Sequence, residues 1–132
     1  MARKDKRETG RRRTVPLALH GLIEYGEGIL TIIAPFLLSY SDRTGATLLS
    51  IAIGAAVLVL AVVTVAPTGL SRTLPLASHI VLDYVLVAVW ISSPFILGFS
   101  DNGAALAYFL IVGVAHLLMT VSTRFQKAER PD

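Results

Sequence analysis

The sequence predicts an all-α membrane protein: four transmembrane helices arranged as two tandem parallel helical-hairpin repeats. Three observations lead there. Four apolar stretches of about 18–22 residues match the roughly 20 helical residues that cross a hydrocarbon layer about 30 Å thick. Charge is excluded from them: only 16% of the 132 residues are charged, against about a quarter in a soluble domain. Finally, sliding the chain by 59 residues aligns Pro16–Thr64 with Pro75–Thr123 without a gap, and 17 of the 49 aligned positions are identical.

Taken in order, Met1–Thr14 reads MARKDKRETGRRRT, a basic arm without apolar periodicity that is expected to be disordered. The first hairpin repeat occupies residues 15–66, with helices over 17–38 and 46–66 joined by Ser39–Gly45. A linker over 67–75 leads to the second repeat, residues 76–123, with helices over 76–97 and 104–121 joined by Gly98–Gly103. A tail over 124–132 completes the chain. Such short links make consecutive helices antiparallel neighbours. Ser41-Asp42 and Ser100-Asp101 are expected to supply the oxygens that cap the second and fourth helices.

Between Val15 and Val65 only Glu24, Glu27, Asp42 and Arg43 are charged, and between Leu74 and Thr123 only Asp83 and Asp101. With the N-terminus inside, the inner segments hold Arg3, Lys4, Lys6, Arg7, Arg11, Arg12, Arg13, Arg72, Arg124, Lys127 and Arg130, while the outer loops hold Arg43. The positive-inside rule therefore predicts that both termini are cytoplasmic. A cleaved signal peptide is not expected. The first apolar segment is too long, carries two glutamates and lacks a small-residue cleavage site after Leu38.

Several function classes are not predicted. The chain has no cysteine, which removes disulfides, thiolate metal sites and thiol nucleophiles. The net charge of +3 comes from the arm, so the sequence predicts lipid and membrane-protein or homo-oligomeric partners, and no nucleic acid. It offers no phosphate-binding glycine loop and no nucleophile–base pair. The expectation is a protein that is not an enzyme and has no predicted cofactor.

The repeat matches include Pro16/Pro75, His20/His79, Tyr25/Tyr84, Pro35/Pro94, Phe36/Phe95, Ser41/Ser100, Asp42/Asp101 and Gly54/Gly113, and Glu24 aligns with Asp83. Each copy is a hairpin, so both insert with the same orientation and are related by an axis along the membrane normal. The natural packing is a pseudo-two-fold four-helix bundle. Ser50, Gly54, Gly26 and Gly28 are expected to let helices approach closely.

Near the outer end of each first helix the copies read Ser93-Pro94-Phe95-Ile96-Leu97-Gly98-Phe99 and Ala34-Pro35-Phe36-Leu37-Leu38-Ser39-Tyr40. This pattern resembles the SPW-repeat family of bacterial integral membrane proteins. Here Phe95 and Phe36 stand where the family has Trp, and Ala34 also replaces its Ser. The resemblance implies a hairpin architecture in a bacterial plasma membrane and brings no activity or catalytic residue. Physically, each proline removes a backbone donor and loosens the last helical turn. Phe36 and Phe95, with Tyr40 and Phe99, are expected to anchor the outer interface.

The sequence's sharpest chemical feature is polar. His20, Glu24 and Glu27 share one face of the first helix, continued by Thr31 and Pro35. His79, Asp83, Trp90 and Pro94 form the matching stripe on the third, and His116, Gly113 and Thr120 share a face of the fourth. A rise of 1.5 Å per residue puts His20 and His79 about 6 Å from the inner ends, Glu24 and Asp83 about 12 Å, and His116 about 10 Å. An ionised group near the bilayer centre costs roughly 2.5–3.5 kcal/mol, so these side chains must face protein, neutral or paired. The leading reading is structural, with each histidine bonded to its i+4 carboxyl and the pairs joining the hairpins. The alternative is a proton, ion or solute pathway. The third is a divalent metal site of His20, Glu24, His79 and Asp83, with or without His116.

Overall fold

A computed structural model describes residues 13–125; the arm up to residue 12 and the tail from residue 126 lie outside the described residues. A two-residue strand β1 (Val15–Pro16) leads into helix α1 (Leu17–Leu37). Helices α2 (Thr44–Val63), α3 (Leu76–Ile96) and α4 (Gly103–Ser122) follow, and strand β2 (Thr123–Arg124) closes the order. All four helices are long and apolar enough to cross a membrane. Within hydrocarbon the backbone must satisfy its own polar groups, which a helix does internally. Only 33–39% of each span is buried within the molecule. The remainder is an apolar outer face carrying Leu22, Ile29, Leu48, Val81, Ile111 and Leu118, as lipid contact requires. The chain is a multi-pass membrane protein.

Helices α1 and α2 pack closely, as do α3 and α4. Two glycines set the first contact. A Cβ on Gly54 would lie 2.6 Å from the Gly28 carbonyl oxygen, and one on Gly28 would lie 2.9 Å from that of Gly54. Gly26 plays no such part, because a Cβ there meets nothing within 4 Å. Two residues along the helix, about 200° of rotation, separate a packing glycine from a lipid-facing one. Gly113 brings α4 against the Cβ of Trp90, at 2.8 Å from a Cβ built there. Ser50 is buried for a different reason, hydrogen-bonding the Tyr40 hydroxyl at 2.9 Å.

The proline motif explains how α1 and α3 end. Both helices run through Pro35 and Pro94 to Leu37 and Ile96. Ser39 and Gly98 then take left-handed backbone, φ 57° and 69°. This turns the chain so that the amides of Tyr40 and Phe99 donate to the carbonyls of Pro35 and Pro94, each at 2.9 Å. The six-to-one bond and left-handed residue define a Schellman stop. The turn aims Tyr40 and Phe99 inward, where they are 0% and 3% exposed. They are core residues and not interface anchors; Phe36 and Phe95, 63% and 60% exposed, take the outward positions. Beyond the turn, Arg43 is the N-cap of α2 and makes no side-chain cap, and the Asn102 side chain accepts from the Ala105 amide at 3.0 Å. The expected Ser-Asp caps are therefore not used, since the cap position falls one residue later.

Tyr40, Trp90, Phe99, Tyr108 and Phe109 join Ala34, Ala46, Ile53, Val57, Leu86 and Ala105 in one core that runs from this end into the middle of the bundle. Phe109 packs edge-to-face on Trp90 and Phe99, with ring centres 5.1 and 5.0 Å apart. Arg43 crosses to Asp101 with a fork of bonds at 3.2 and 2.7 Å, linking the two hairpin tips. The Arg43 guanidinium holds the Asp101 carboxyl below the usual carboxylate range.

The opposite end carries the chain entries and exits. Helix α2 stops at Val63 and not Ala66, because the loop folds back. The carbonyls of Val62 and Val63 accept from the amides of Leu70, Ser71, Thr73 and Leu74. Val15 pairs in parallel with Thr123, and Leu74 bridges Thr64, also in parallel. These are one interaction repeated: adding 59 to Val15 gives Leu74, and subtracting 59 from Thr123 gives Thr64. The start of each repeat is tied to the end of the other.

Candidate functional site

The strand pairs bring the entries of α1 and α3 together, and the next turn of each helix carries a histidine followed four residues later by a carboxylate. His20, Glu24, His79 and Asp83 are all buried, at 1%, 2%, 2% and 0% exposure. The two polar stripes therefore meet. His20 Nε2 lies 3.4 Å from Glu24 Oε1 on its own helix and 3.4 Å from Asp83 Oδ2 across the bundle. His79 Nε2 lies 3.1 Å from Glu24 Oε1 across the bundle and 3.3 Å from Asp83 Oδ1 on its own helix. Each imidazole thus faces both carboxylates, a four-way arrangement more connected than two separate i, i+4 pairs.

Two threonines orient the rings. Thr64 donates its hydroxyl proton to the Leu60 carbonyl at 2.5 Å, and Thr123 donates to the Met119 carbonyl at 2.7 Å. A hydroxyl has one proton, so each oxygen is left to accept. His79 Nδ1 lies 2.7 Å from Thr64 Oγ1 and His20 Nδ1 lies 2.8 Å from Thr123 Oγ1. Both histidines consequently carry a proton on Nδ1 and direct Nε2 into the cluster. Each threonine belongs to the hairpin opposite its histidine. The residue pattern alone missed both, although Thr64/Thr123 is the last identity of the repeat and was there to be read.

His116 of α4 enters from the side. Its Nδ1 lies 2.8 Å from a Glu27 carboxylate oxygen, and its Nε2 lies 3.6 Å from Asp83 Oδ1. Glu27 shares the α1 stripe but pairs outward with His116, its side chain 11% exposed. This pair breaks the two-fold: the equivalent positions hold Leu86 and Val57. Thr120 donates to Asp83 Oδ2 at 3.4 Å, where the repeat has Ala61. Further along, Thr31 hydrogen-bonds the Tyr108 hydroxyl at 3.0 Å. Of the motif residues, Ala34, Pro35, Ser93 and Pro94 are buried at the far end, remote in sequence from the cluster. They terminate helices and line no site.

Satisfaction is incomplete at the centre. His20 Nε2, Glu24 Oε1, Asp83 Oδ1 and His116 Nε2 are buried without a hydrogen-bond partner, because the imidazole–carboxylate contacts are close without being aligned as bonds. A cavity of about 10 Å³, roughly one water, reaches His20 and Glu24 of these. It is lined by His20, Glu24, Thr64, Ala66, Thr68 and His79 among others and lies toward the end bearing the termini. On the symmetry-related side the small Ala66 is replaced by Phe125, whose ring packs edge-on to His20 at 5.4 Å. Thr68 abuts Gly21, where a Cβ would fall 1.9 Å from its hydroxyl, and the Tyr25 hydroxyl holds the Thr68 carbonyl at 3.1 Å.

No curated protein and no solved structure matches this chain. The SPW repeat domain matches residues 18–123, a span that takes in the four helices except Leu17, both proline stops and every residue of the polar cluster. The chain belongs to the SPW repeat family.

Proposed function

We propose that this protein is a non-enzymatic, structural or accessory component of a bacterial plasma membrane, in which a buried polar centre clasps two inserted hairpins together. The observation that carries the reading is the reciprocal hold: His20 on Thr123 and His79 on Thr64, each bond joining one hairpin to the other. Buried groups in lipid-embedded protein must find partners inside the molecule, and here each hairpin supplies what the other lacks. Its partners are the lipid bilayer and, through the apolar outer face, other membrane proteins or further copies of itself. The termini are cytoplasmic in this reading. Arg13 and Arg124 lie at the strand-paired end beside the loop bearing Arg72, whereas Arg43 lies at the other. That asymmetry follows the positive-inside rule.

A proton or ion pathway is the second reading, favoured by the water-sized cavity that reaches Glu24 and His79. It is disfavoured by the aromatic core beyond the cluster. Protein reconstituted in vesicles with an imposed pH or cation gradient separates the two. Leakage no faster than in empty vesicles supports the clasp. Flux that disappears in a folded Glu24→Gln, Asp83→Asn variant replaces the clasp with a pathway. Because the natural chain lacks cysteine, single cysteines at Ser71 and Asp42 report sidedness: an impermeant reagent on intact cells should label position 42 and spare position 71.

A further inference from the structure

We propose that His20, Glu24, His79 and Asp83 form a closed, four-coordinate site for a divalent transition-metal ion of the zinc class. Their donor atoms all lie within 4.8 Å of one another, and all four residues are buried. Two imidazole nitrogens and two carboxylate oxygens are a donor set that zinc takes in tetrahedral geometry.

The separations discriminate between a metal cradle and a proton-mediated cluster. A hydrogen bond between an imidazolium and a carboxylate draws nitrogen and oxygen to about 2.7–2.9 Å. A tetrahedron with bonds of about 2.0–2.2 Å has edges of about 3.3–3.6 Å. The four nitrogen–oxygen contacts measure 3.4, 3.4, 3.1 and 3.3 Å, the two to Asp83 made through different carboxylate oxygens; three of the four match those edges, and none is aligned as a hydrogen bond. Meanwhile the Glu27–His116 contact, outside the four, has the shorter distance of 2.8 Å. Three of the four central residues present a buried atom without a partner, namely His20 Nε2, Glu24 Oε1 and Asp83 Oδ1.

The surroundings suit a metal as well. Metal-ligating histidines usually donate their second N–H to an oxygen, which fixes the ring and its tautomer. Thr64 and Thr123 do this for both rings, leaving each Nε2 directed at the centre. Every ion-pair partner of Glu24 and Asp83 among the described residues is a histidine. With Glu27 matched to His116, the two remaining carboxylates carry the charge that one dication cancels, which keeps the low-dielectric centre neutral. Four protein ligands leave no open position, the mark of a structural and not a catalytic site. The cavity beside Ala66 and Thr68 gives access from the terminal end. This inference goes beyond the clasp and can fail alone, as a metal-free protein whose hairpins remain joined.

The test uses the full chain purified through a histidine-free affinity tag, stripped with a chelator and equilibrated with Zn(II) or Co(II). Elemental analysis should find one zinc per chain, and cobalt should give the intense visible bands of a four-coordinate ion. The His20→Ala, His79→Ala variant should lose both. Thr64→Val should weaken zinc binding about 10–100-fold by freeing a ligand ring, with the helical circular dichroism unchanged. Sub-stoichiometric zinc, or equal zinc in the folded double-histidine variant, would overturn the proposal. If that variant does not fold, the wild-type cobalt spectrum decides: weak or absent bands exclude a tetrahedral site.

Discussion

His20 of the first hairpin is held by Thr123 of the second at 2.8 Å, and the same bond, moved by 59 residues and reversed between hairpins, holds His79 to Thr64 at 2.7 Å. The two-fold symmetry of the fold is therefore also a symmetry of its polar centre. Each copy closes on the other, and neither completes its centre alone.

The threonine clamps should contribute equally. Thr64→Val and Thr123→Val keep size and branching but remove the acceptor for an imidazole N–H. Each should lower stability in detergent by about 0.6–1.7 kcal/mol, the range for polar contacts between membrane helices. Thermal unfolding of the two single variants, monitored by circular dichroism, should give matching losses. A loss confined to one would show that the hairpins are not clasped symmetrically.

Glu27 and His116 offer a double-mutant cycle that the repeat itself designs. The equivalent positions in the other half are Leu86 and Val57. Glu27→Leu or His116→Val alone leaves a polar partner stranded, at a cost of about 1–3 kcal/mol. Together they copy the apolar solution, and the double variant should be more stable than either single one. Additive losses would mean that the pair does not act as a unit.

The helix stop after each proline predicts opposite effects at equivalent residues. Ser39 holds a left-handed φ of 57° without being glycine, whereas Gly98 occupies the same turn at 69°. Ser39→Gly should stabilise, and Gly98→Ala should destabilise, each by about 1 kcal/mol. Equal and negligible shifts in melting temperature would argue that these turns are not left-handed.

Two glycines two residues apart, on opposite faces of α1, should behave differently. Gly28→Ala drives a Cβ toward the Gly54 carbonyl and the Leu58 side chain, and overpacking of this kind costs about 1–3 kcal/mol. Gly26→Ala meets nothing and should be neutral or mildly stabilising. Similar melting temperatures for both variants would refute the close α1–α2 contact.

Much of this architecture was legible because the chain states it twice. The 59-residue offset aligned His20 with His79 and Glu24 with Asp83, and two matching histidine–carboxylate pairs in a bundle have few ways to face protein except toward each other. What escaped was information that hydropathy does not carry. Thr64 and Thr123 close apolar spans, where a threonine reads as a boundary; only the backbone beyond them shows that each reaches the opposite histidine. The apolar Val65-Ala66 disguised the end of α2, which hydrogen bonds from the 70–74 loop determine. Gly26 and Gly28 look alike in a sequence, since glycine has no side chain to report its face. Tyr40 and Phe99 read as interface aromatics because the left-handed turn that folds them inward is set by Ser39 and Gly98. The Glu27–His116 pair has no copy, so the repeat gave it no support.

The most direct measurement is the coupling between Glu24 and His79, one from each hairpin and 3.1 Å apart. A double-mutant cycle with Glu24→Gln and His79→Gln, followed by unfolding in detergent with a chelator present, isolates their interaction from any bound ion. The polar-centre account predicts a favourable coupling of about 0.6–1.7 kcal/mol. Additive effects, with a coupling indistinguishable from zero, would contradict it.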